Sequence, residues 1–230
     1  MSSENVIYLY TRFERFWHWC QALLILIFLI TGFEIHGAIS LLGFETAFTV
    51  HNLCGWTWLV LYVFIVFWML TTEEWKQYVP TYKKLYDVGH YYTIGIFRGE
   101  PHPVPKSLRA KHNPLQRLTY LGIVTFLVPF QIVTGFLYYY HSKWPEMGWD
   151  WALSTVACLH TAGAFAFLAF TIVHLYMITT GPTLFSHTRA MITGWEEVDD
   201  ILAHEWEAKH RRDEAVCDSL PVEDGETAGS

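Results

Sequence analysis

Four histidines fall inside long apolar stretches that could each form a membrane span: His18, His51, His160 and His174. An imidazole among Leu, Phe, Val and Ile is costly unless something binds it, and ionisable groups inside apolar spans mark functional sites. A neutral imidazole nitrogen is a ligand for a transition metal. His160 and His174 stand 14 residues apart in "CLHTAGAFAFLAFTIVHLYM". On a helix that spacing falls about 40° short of four turns and spans about 21 Å along the axis. The two rings then share a face but cannot share one metal ion. The spacing predicts two separate sites stacked along one helix.

The elements that must position them follow from the charge pattern. Phe16–Phe33, Thr46–Thr72, Leu118–Ser142 and Trp151–Thr188 contain no Asp, Glu, Lys or Arg. A bilayer core takes about 20 apolar residues per helix, so each run holds one span. Transmembrane helices are predicted at about 16–35, 48–71, 117–140 and 151–180. Buried helices of a soluble bundle carry a polar stripe, and these runs carry none. Composition agrees, because 52% hydrophobic and only 16% charged residues make the chain apolar for a soluble domain. The first run is not a signal peptide, since no small-residue cleavage site follows it and Glu34 and His36 end it.

Basic residues orient the spans. Of the 15 Lys and Arg, all but Lys143 fall at the N-terminus, in the loop 73–117 or in the tail. Both termini and that loop are therefore expected in the cytoplasm, and the two short loops in the periplasm of a bacterium. The alternating helix directions then pair the histidines by depth: His18 with His174 on the cytoplasmic side, His51 with His160 on the periplasmic side.

Two imidazoles per level do not suffice for zinc, which takes four protein ligands, or three and a water. Haem iron needs only two axial ligands from the protein. Two bis-histidine b-type haems match the count, the depth and the apolar lining. The four cysteines form no C-x-x-C-H, so no covalently attached c-type haem is expected, nor a disulfide framework. Gly55 follows His51 by four residues and Gly163 follows His160 by three. With Gly32, which shares the face of His18 at the other level, they are candidates for making room for a porphyrin. "ITGF" (30–33) and "VTGF" (133–136) recur at the outward ends of the first and third spans. Gly135, with no histidine for reference, reads as a helix-packing glycine. Arg15 and Arg189 read as positive-inside anchors, and His36, His141 and His187 receive no role.

The loop 73–117 is rich in Tyr and basic residues and reads as an interfacial helix and a docking surface for a partner. The segment 188–212 reads as a short surface helix. Residues 213–230 read as a disordered acidic cytoplasmic tail that carries much of the net charge of −7.

At "RFERFWHW", "HNLCGW", "KHNPLQRLTY", the H-x13-H spacing, "AMITG" and "EWEAKH" the chain resembles the four-helix dihaem cytochrome b subunits of bacterial respiratory complexes. These include formate dehydrogenase gamma subunits, nickel-iron hydrogenase b-type cytochromes, thiosulfate reductase cytochromes b and bacterial cytochrome b561. The resemblance covers about residues 7–212, a single dihaem transmembrane domain. It implies an all-α membrane protein, a four-helix bundle with two b-type haems stacked across the membrane. It implies axial ligation by His18, His51, His160 and His174, the first paired with the last. It also implies a quinone site near the cytoplasmic haem, with Asn113 and Gln116 where the quinone-binding loop enters the third span. An amide there offers hydrogen bonds to a quinone carbonyl. Asn113 before Pro114 is equally a helix N-cap.

The expected function is that of a membrane-anchoring electron-transfer subunit of the inner membrane. Electrons would pass between an iron–sulfur or other redox subunit and the menaquinone or ubiquinone pool. The alternative is a stand-alone cytochrome b561-type quinone oxidoreductase acting on a small oxidant or superoxide. The chain carries no iron–sulfur cysteine pattern, nucleotide loop or catalytic triad, so substrate chemistry is expected in the partner.

Overall fold

The computed structural model describes residues 6–104, 111–147, 152–181 and 183–198, together with 204, 206–208, 211 and 212. The tail 213–230, with Cys217, lies outside the described residues, as does the whole of the loop's "KSLRA" stretch. The order is β1 (Val6–Tyr8), α1 (Arg12–Ile35), α2 (Phe44–Thr72), α3 (Leu85–Thr93), α4 (Pro114–Gly122), α5 (Val128–Tyr139), α6 (Trp144–Met147), α7 (Leu153–Ile178), α8 (Ser186–Thr193) and β2 (Trp195–Glu197). A π-helical turn, Ile123–Leu127, joins α4 to α5, so Pro114–Tyr139 runs as one span. That span, α1, α2 and α7 are each long and apolar enough to cross a membrane. α1 packs on α2 and α5 on α7, giving two hairpins that meet through α2 with α5 and α1 with α7.

The first three spans start earlier than a charge-free run predicts, because capping chemistry sits outside the apolar stretch. Thr11 and Glu14 form a capping box that starts α1 at Arg12. Asn113 and Gln116 form another, with Pro114 at the first helical position. At α2 the device is tertiary. Glu34, buried near the end of α1, accepts hydrogen bonds through Oε1 from the backbone N–H groups of Leu41 (2.9 Å), Leu42 (2.6 Å) and Gly43 (2.6 Å). It thereby ties the short loop down and supplies the negative charge that a helix N-terminus favours.

The π turn has a specific cause. In π register the N–H of residue 129 would bond the carbonyl of Val124, but residue 129 is proline and has no N–H. The Tyr62 hydroxyl, from α2, donates to that carbonyl at 3.0 Å. In an apolar surround an unpaired carbonyl is expensive, so α2 supplies the bond that the third span cannot make.

Side-chain placement is inverted relative to a water-soluble bundle. Leu53 is 66% exposed and Phe67 63%, whereas Thr31 is 1% exposed and Thr134 4%. Leu24, Cys54, Trp58, Val128 and Phe167 form the buried apolar cluster, which occupies the layer between the two histidine levels. Trp58 Nε1 donates to Gln21 Oε1 at 2.6 Å within it.

Beyond the spans the chain is not wholly helical. β1 pairs antiparallel with β2, with Ile7 opposite Glu196 and Tyr8 opposite Trp195. Over 188–212, where a surface helix is expected, α8 ends at Thr193, because Gly194 turns left-handed at φ 90° and its carbonyl accepts the N–H groups of Leu9 (2.9 Å) and Tyr10 (3.2 Å), while the described residues 204, 206–208, 211 and 212 are again helical. Trp19 Nε1 donates to the Met191 carbonyl at 2.9 Å, and the Arg15 guanidinium donates to that of Ile192. The segment before α1 and the segment after α7 are thus clamped together beside the start of α1. Within the clamp, burial, with Glu196 next in effect, pushes the Tyr10 hydroxyl well above its usual pKa.

Candidate functional site: two facing histidine pairs

α1 and α7 bring His18 and His174 face to face, with ring centroids 6.1 Å apart. α2 and α7 do the same for His51 and His160, at 6.3 Å. Two metal–nitrogen bonds of about 2 Å each, plus about 1 Å from nitrogen to ring centre on each side, make about 6 Å for two imidazoles sharing one metal. Each pair therefore stands at the separation that one iron between its rings requires. Among the described residues no group of three or more His, Cys, Asp or Glu is placed to hold a bare metal ion. Two nitrogens per level fit a porphyrin-bound iron and not zinc.

The rings are held differently at the two levels. At the level nearer the short loops, the hairpin-side pair, Thr31 Oγ1 lies 2.8 Å from His51 Nδ1 and Thr134 Oγ1 lies 3.1 Å from His160 Nδ1. Gln131 Nε2 donates to the His160 carbonyl at 3.1 Å and stands 3.4 Å from its Nε2. Phe28 meets His51 edge-on at 5.1 Å. At the level nearer the termini, His174 stacks on Phe170 at 5.5 Å and His18 meets Trp19 at 5.2 Å. There His18 Nδ1 is buried without a hydrogen-bond partner among the described residues.

The glycines sort into three environments. A Cβ on Gly32 would stand 3.8 Å from His51 Cε1, and one on Gly135 only 3.1 Å from His160 Cε1. Gly135, read from sequence as a general packing glycine, is thus the closest glycine to any of the four facing imidazoles. Gly163 faces Gln131 and Phe130 (a Cβ there would stand 3.2 Å from Phe130 Cε1), so its missing side chain lets α5 approach α7. Nothing lies within 4 Å of a Cβ on Gly55.

Asn113 and Gln116 sit at the start of α4, where each side-chain oxygen is used in the cap: Asn113 Oδ1 accepts from the Gln116 N–H (2.9 Å) and Gln116 Oε1 from the Asn113 N–H (3.0 Å). Asn113 Nδ2 reaches the Tyr92 hydroxyl at 3.3 Å. Around them Tyr78 stacks on His112 (5.3 Å), His112 meets Tyr120 (5.2 Å), and Tyr120 meets Phe170 (6.3 Å). Through Phe170 this aromatic series ends at His174. Lys111 and Glu14 form an ion pair of 2.8 Å beside it, so the loop is fastened to the foot of α1.

The remaining residues take structural places. Arg15 is spent on the clamp. His187 Nδ1 lies 3.2 Å from buried Glu196 Oε1, joining α8 to β2. His36 caps α1, and His141 Nδ1 lies 2.8 Å from the Tyr138 carbonyl. Sequence reasoning missed Thr31, Thr134 and Gln131 as neighbours of the imidazoles. The signal available was the repeated "TG" in "ITGF" and "VTGF", which no histidine spacing linked to a ring.

Comparison with known proteins bears on this arrangement. The model of the family described as prokaryotic cytochrome b561 matches residues 9–194. Cytochrome YdhU of Escherichia coli K12 is 31% identical over 204 residues, covering 82% of this chain and 74% of that protein. A nickel-iron hydrogenase 1 B-type cytochrome subunit of the same organism is 24% identical over 202 residues, covering 76% and 84%. The corresponding hydrogenase subunit of Bradyrhizobium diazoefficiens is 24% identical over 197 residues, covering 74% and 76%. No solved structure matches the chain.

Proposed function

The chain belongs to the prokaryotic cytochrome b561 family, a multi-pass membrane cytochrome, and from that premise we propose that it is the dihaem, membrane-anchoring electron-transfer subunit of a respiratory complex. The observation that carries this reading is the pair of facing imidazoles at each of two levels, 6.1 Å and 6.3 Å apart. His18 and His174 would hold one haem b on the cytoplasmic side. His51 and His160 would hold the other on the periplasmic side, with Gly32 and Gly55 leaving space beside His51. Haem iron supplies one-electron transfer at each level. The protein's part is to hold the four imidazoles neutral, exclude water and separate the levels by the apolar layer around Trp58 and Phe167.

Orientation follows from the basic residues, which place both termini and the loop 73–117 in the cytoplasm and Lys143 outside, in the bacterial inner membrane. We assign the quinone end to the cytoplasmic level. The aromatic series from Tyr78 to His174 supports this, as do the amides of Asn113 and Gln116 at the mouth of the third span. Menaquinone or ubiquinone would exchange two electrons and two protons there. The partner is assigned from likeness: two relatives are named as nickel-iron hydrogenase B-type cytochrome subunits, which supports a redox subunit as the partner.

The test is a dithionite-reduced minus oxidised spectrum with haem quantified per chain. Two haems b per protein are expected. His160→Ala and His174→Ala should each remove one haem, and a different one. Retention of both haems in either variant overturns the ligand assignment. A chain that purifies alone and oxidises quinol with a small oxidant would instead favour the stand-alone b561-type oxidoreductase.

A further inference from the structure

We propose that Thr31 and Thr134 are positioning residues for the hairpin-side haem: each accepts the Nδ1 proton of the facing imidazole, commits its Nε2 lone pair to the iron, and lowers the potential of that haem. The proposal rests on the ligation reading above and goes beyond it.

A threonine hydroxyl has one proton. Thr31 Oγ1 donates to the Ile27 carbonyl at 2.7 Å, and Thr134 Oγ1 donates to the Phe130 carbonyl at 2.8 Å. A carbonyl only accepts, so both protons are spent along their own helices. What each hydroxyl turns toward the imidazole is a lone pair, and the ring nitrogen facing it must be the donor. His51 and His160 therefore carry their protons on Nδ1 and their lone pairs on Nε2. The tautomer that ligation needs is set before any metal binds.

The same device occurs twice. In each hairpin a Thr-Gly pair lies on the first helix and the histidine on the second: Thr31-Gly32 with His51, Thr134-Gly135 with His160. In each the hydroxyl holds Nδ1 while the glycine lies over ring carbon Cε1. A hydroxyl buried only to bond its own helix has no need of an imidazole at 2.8 Å. The contrast lies at the other level, where His18 Nδ1 is buried with no hydrogen-bond partner among the described residues. A hydrogen bond at the distal nitrogen makes a ligand imidazole more basic. That stabilises the ferric state, so the hydroxyls hold the potential of the hairpin-side haem down.

The experiment uses the full chain in detergent, with spectroscopic redox titration and electron paramagnetic resonance of the oxidised haems. His51→Ala, retaining the other haem alone, assigns the two midpoint potentials. Thr31→Val and Thr134→Val keep the shape and remove the hydroxyl. Each is expected to raise the hairpin-side midpoint and shift that haem's resonance, with the other midpoint unmoved. Thr31→Ser and Thr134→Ser should restore both towards wild type. If a valine variant loses the haem and the serine variant keeps it, the hydroxyl role stands. If both lose it, bulk and not the hydroxyl matters, and the proposal fails. It fails equally if both haems stay and neither midpoint moves. A wild-type chain without haem, or His51→Ala with both haems, would sink the ligation reading itself.

Discussion

Four half-buried imidazoles set among hydrocarbon side chains need partners, and each finds another imidazole about one metal's width away. Their immediate surroundings decide how much freedom remains. Gly135 sets the tightest limit. A methyl group there would stand 3.1 Å from His160 Cε1, so the ring must give by a few tenths of an ångström. At Gly32 the same methyl meets His51 Cε1 at 3.8 Å, an ordinary contact. Gly135→Ala is therefore expected to lower occupancy of the hairpin-side haem, at an overpacking cost of about 1–3 kcal/mol. Gly32→Ala should leave it nearly intact. Haem per chain in the two purified variants checks the pair, and equal loss in both would show that the contact at His160 is not the limit.

Between residues and bundle, the third span is the element with a fault and a repair. Pro129 removes one backbone donor, the helix widens to a π turn at Ile123–Leu127, and Tyr62 of α2 caps the freed Val124 carbonyl. The extra residue in the turn re-aims α5, the element that carries Gln131, Thr134 and Gly135 to His160. Tyr62→Phe strands that carbonyl and should cost about 1–3 kcal/mol of stability. Pro129→Ala in the same chain returns an N–H and should recover part of the loss. Thermal unfolding in detergent, followed through haem absorbance, measures the double-mutant cycle. Additive losses would mean that the two residues do not share the carbonyl.

At the scale of the whole molecule the bundle is asymmetric. One end carries two short loops, the first held by Glu34, and the other carries the clamp of β1, β2 and α8 together with the long tyrosine-rich loop. The clamp end holds Arg15, Arg189 and Lys84, while Lys143 stands at the opposite end. If that end faces the cytoplasm, Lys143→Cys should react with a membrane-impermeant maleimide in intact spheroplasts, and Lys84→Cys should react only after lysis. Both positions are exposed, so accessibility tests orientation and not burial. The reverse pattern would put the termini outside. The docking surface for a redox partner would then have to lie on the short-loop end.

Much of this was legible from the chain alone, for a physical reason. Spans in hydrocarbon need long charge-free runs, and a helix of known pitch converts residue spacing into depth and angle. His160 and His174 could therefore be placed on one face at two levels, and the pairings with His51 and His18 followed from strand-like alternation of helix direction through the membrane. Local capping was legible as well, since Asn113-Pro114 carries its own signature. What lay beyond reach were contacts between segments distant in sequence with no shared period. Thr31 meets His51 across 20 residues, Thr134 meets His160 across 26, and Arg15 meets Ile192 across 177. No periodicity along one helix says which residue of its neighbour stands opposite, because that depends on interhelical rotation, on the extra residue at Ile123–Leu127 and on the close approaches allowed by Gly135 and Gly163. The positions of the four histidines were a property of the helix. The hydroxyls that hold two of them, and the sheet that joins the segment before α1 to the segment after α7, arose only when the helices packed.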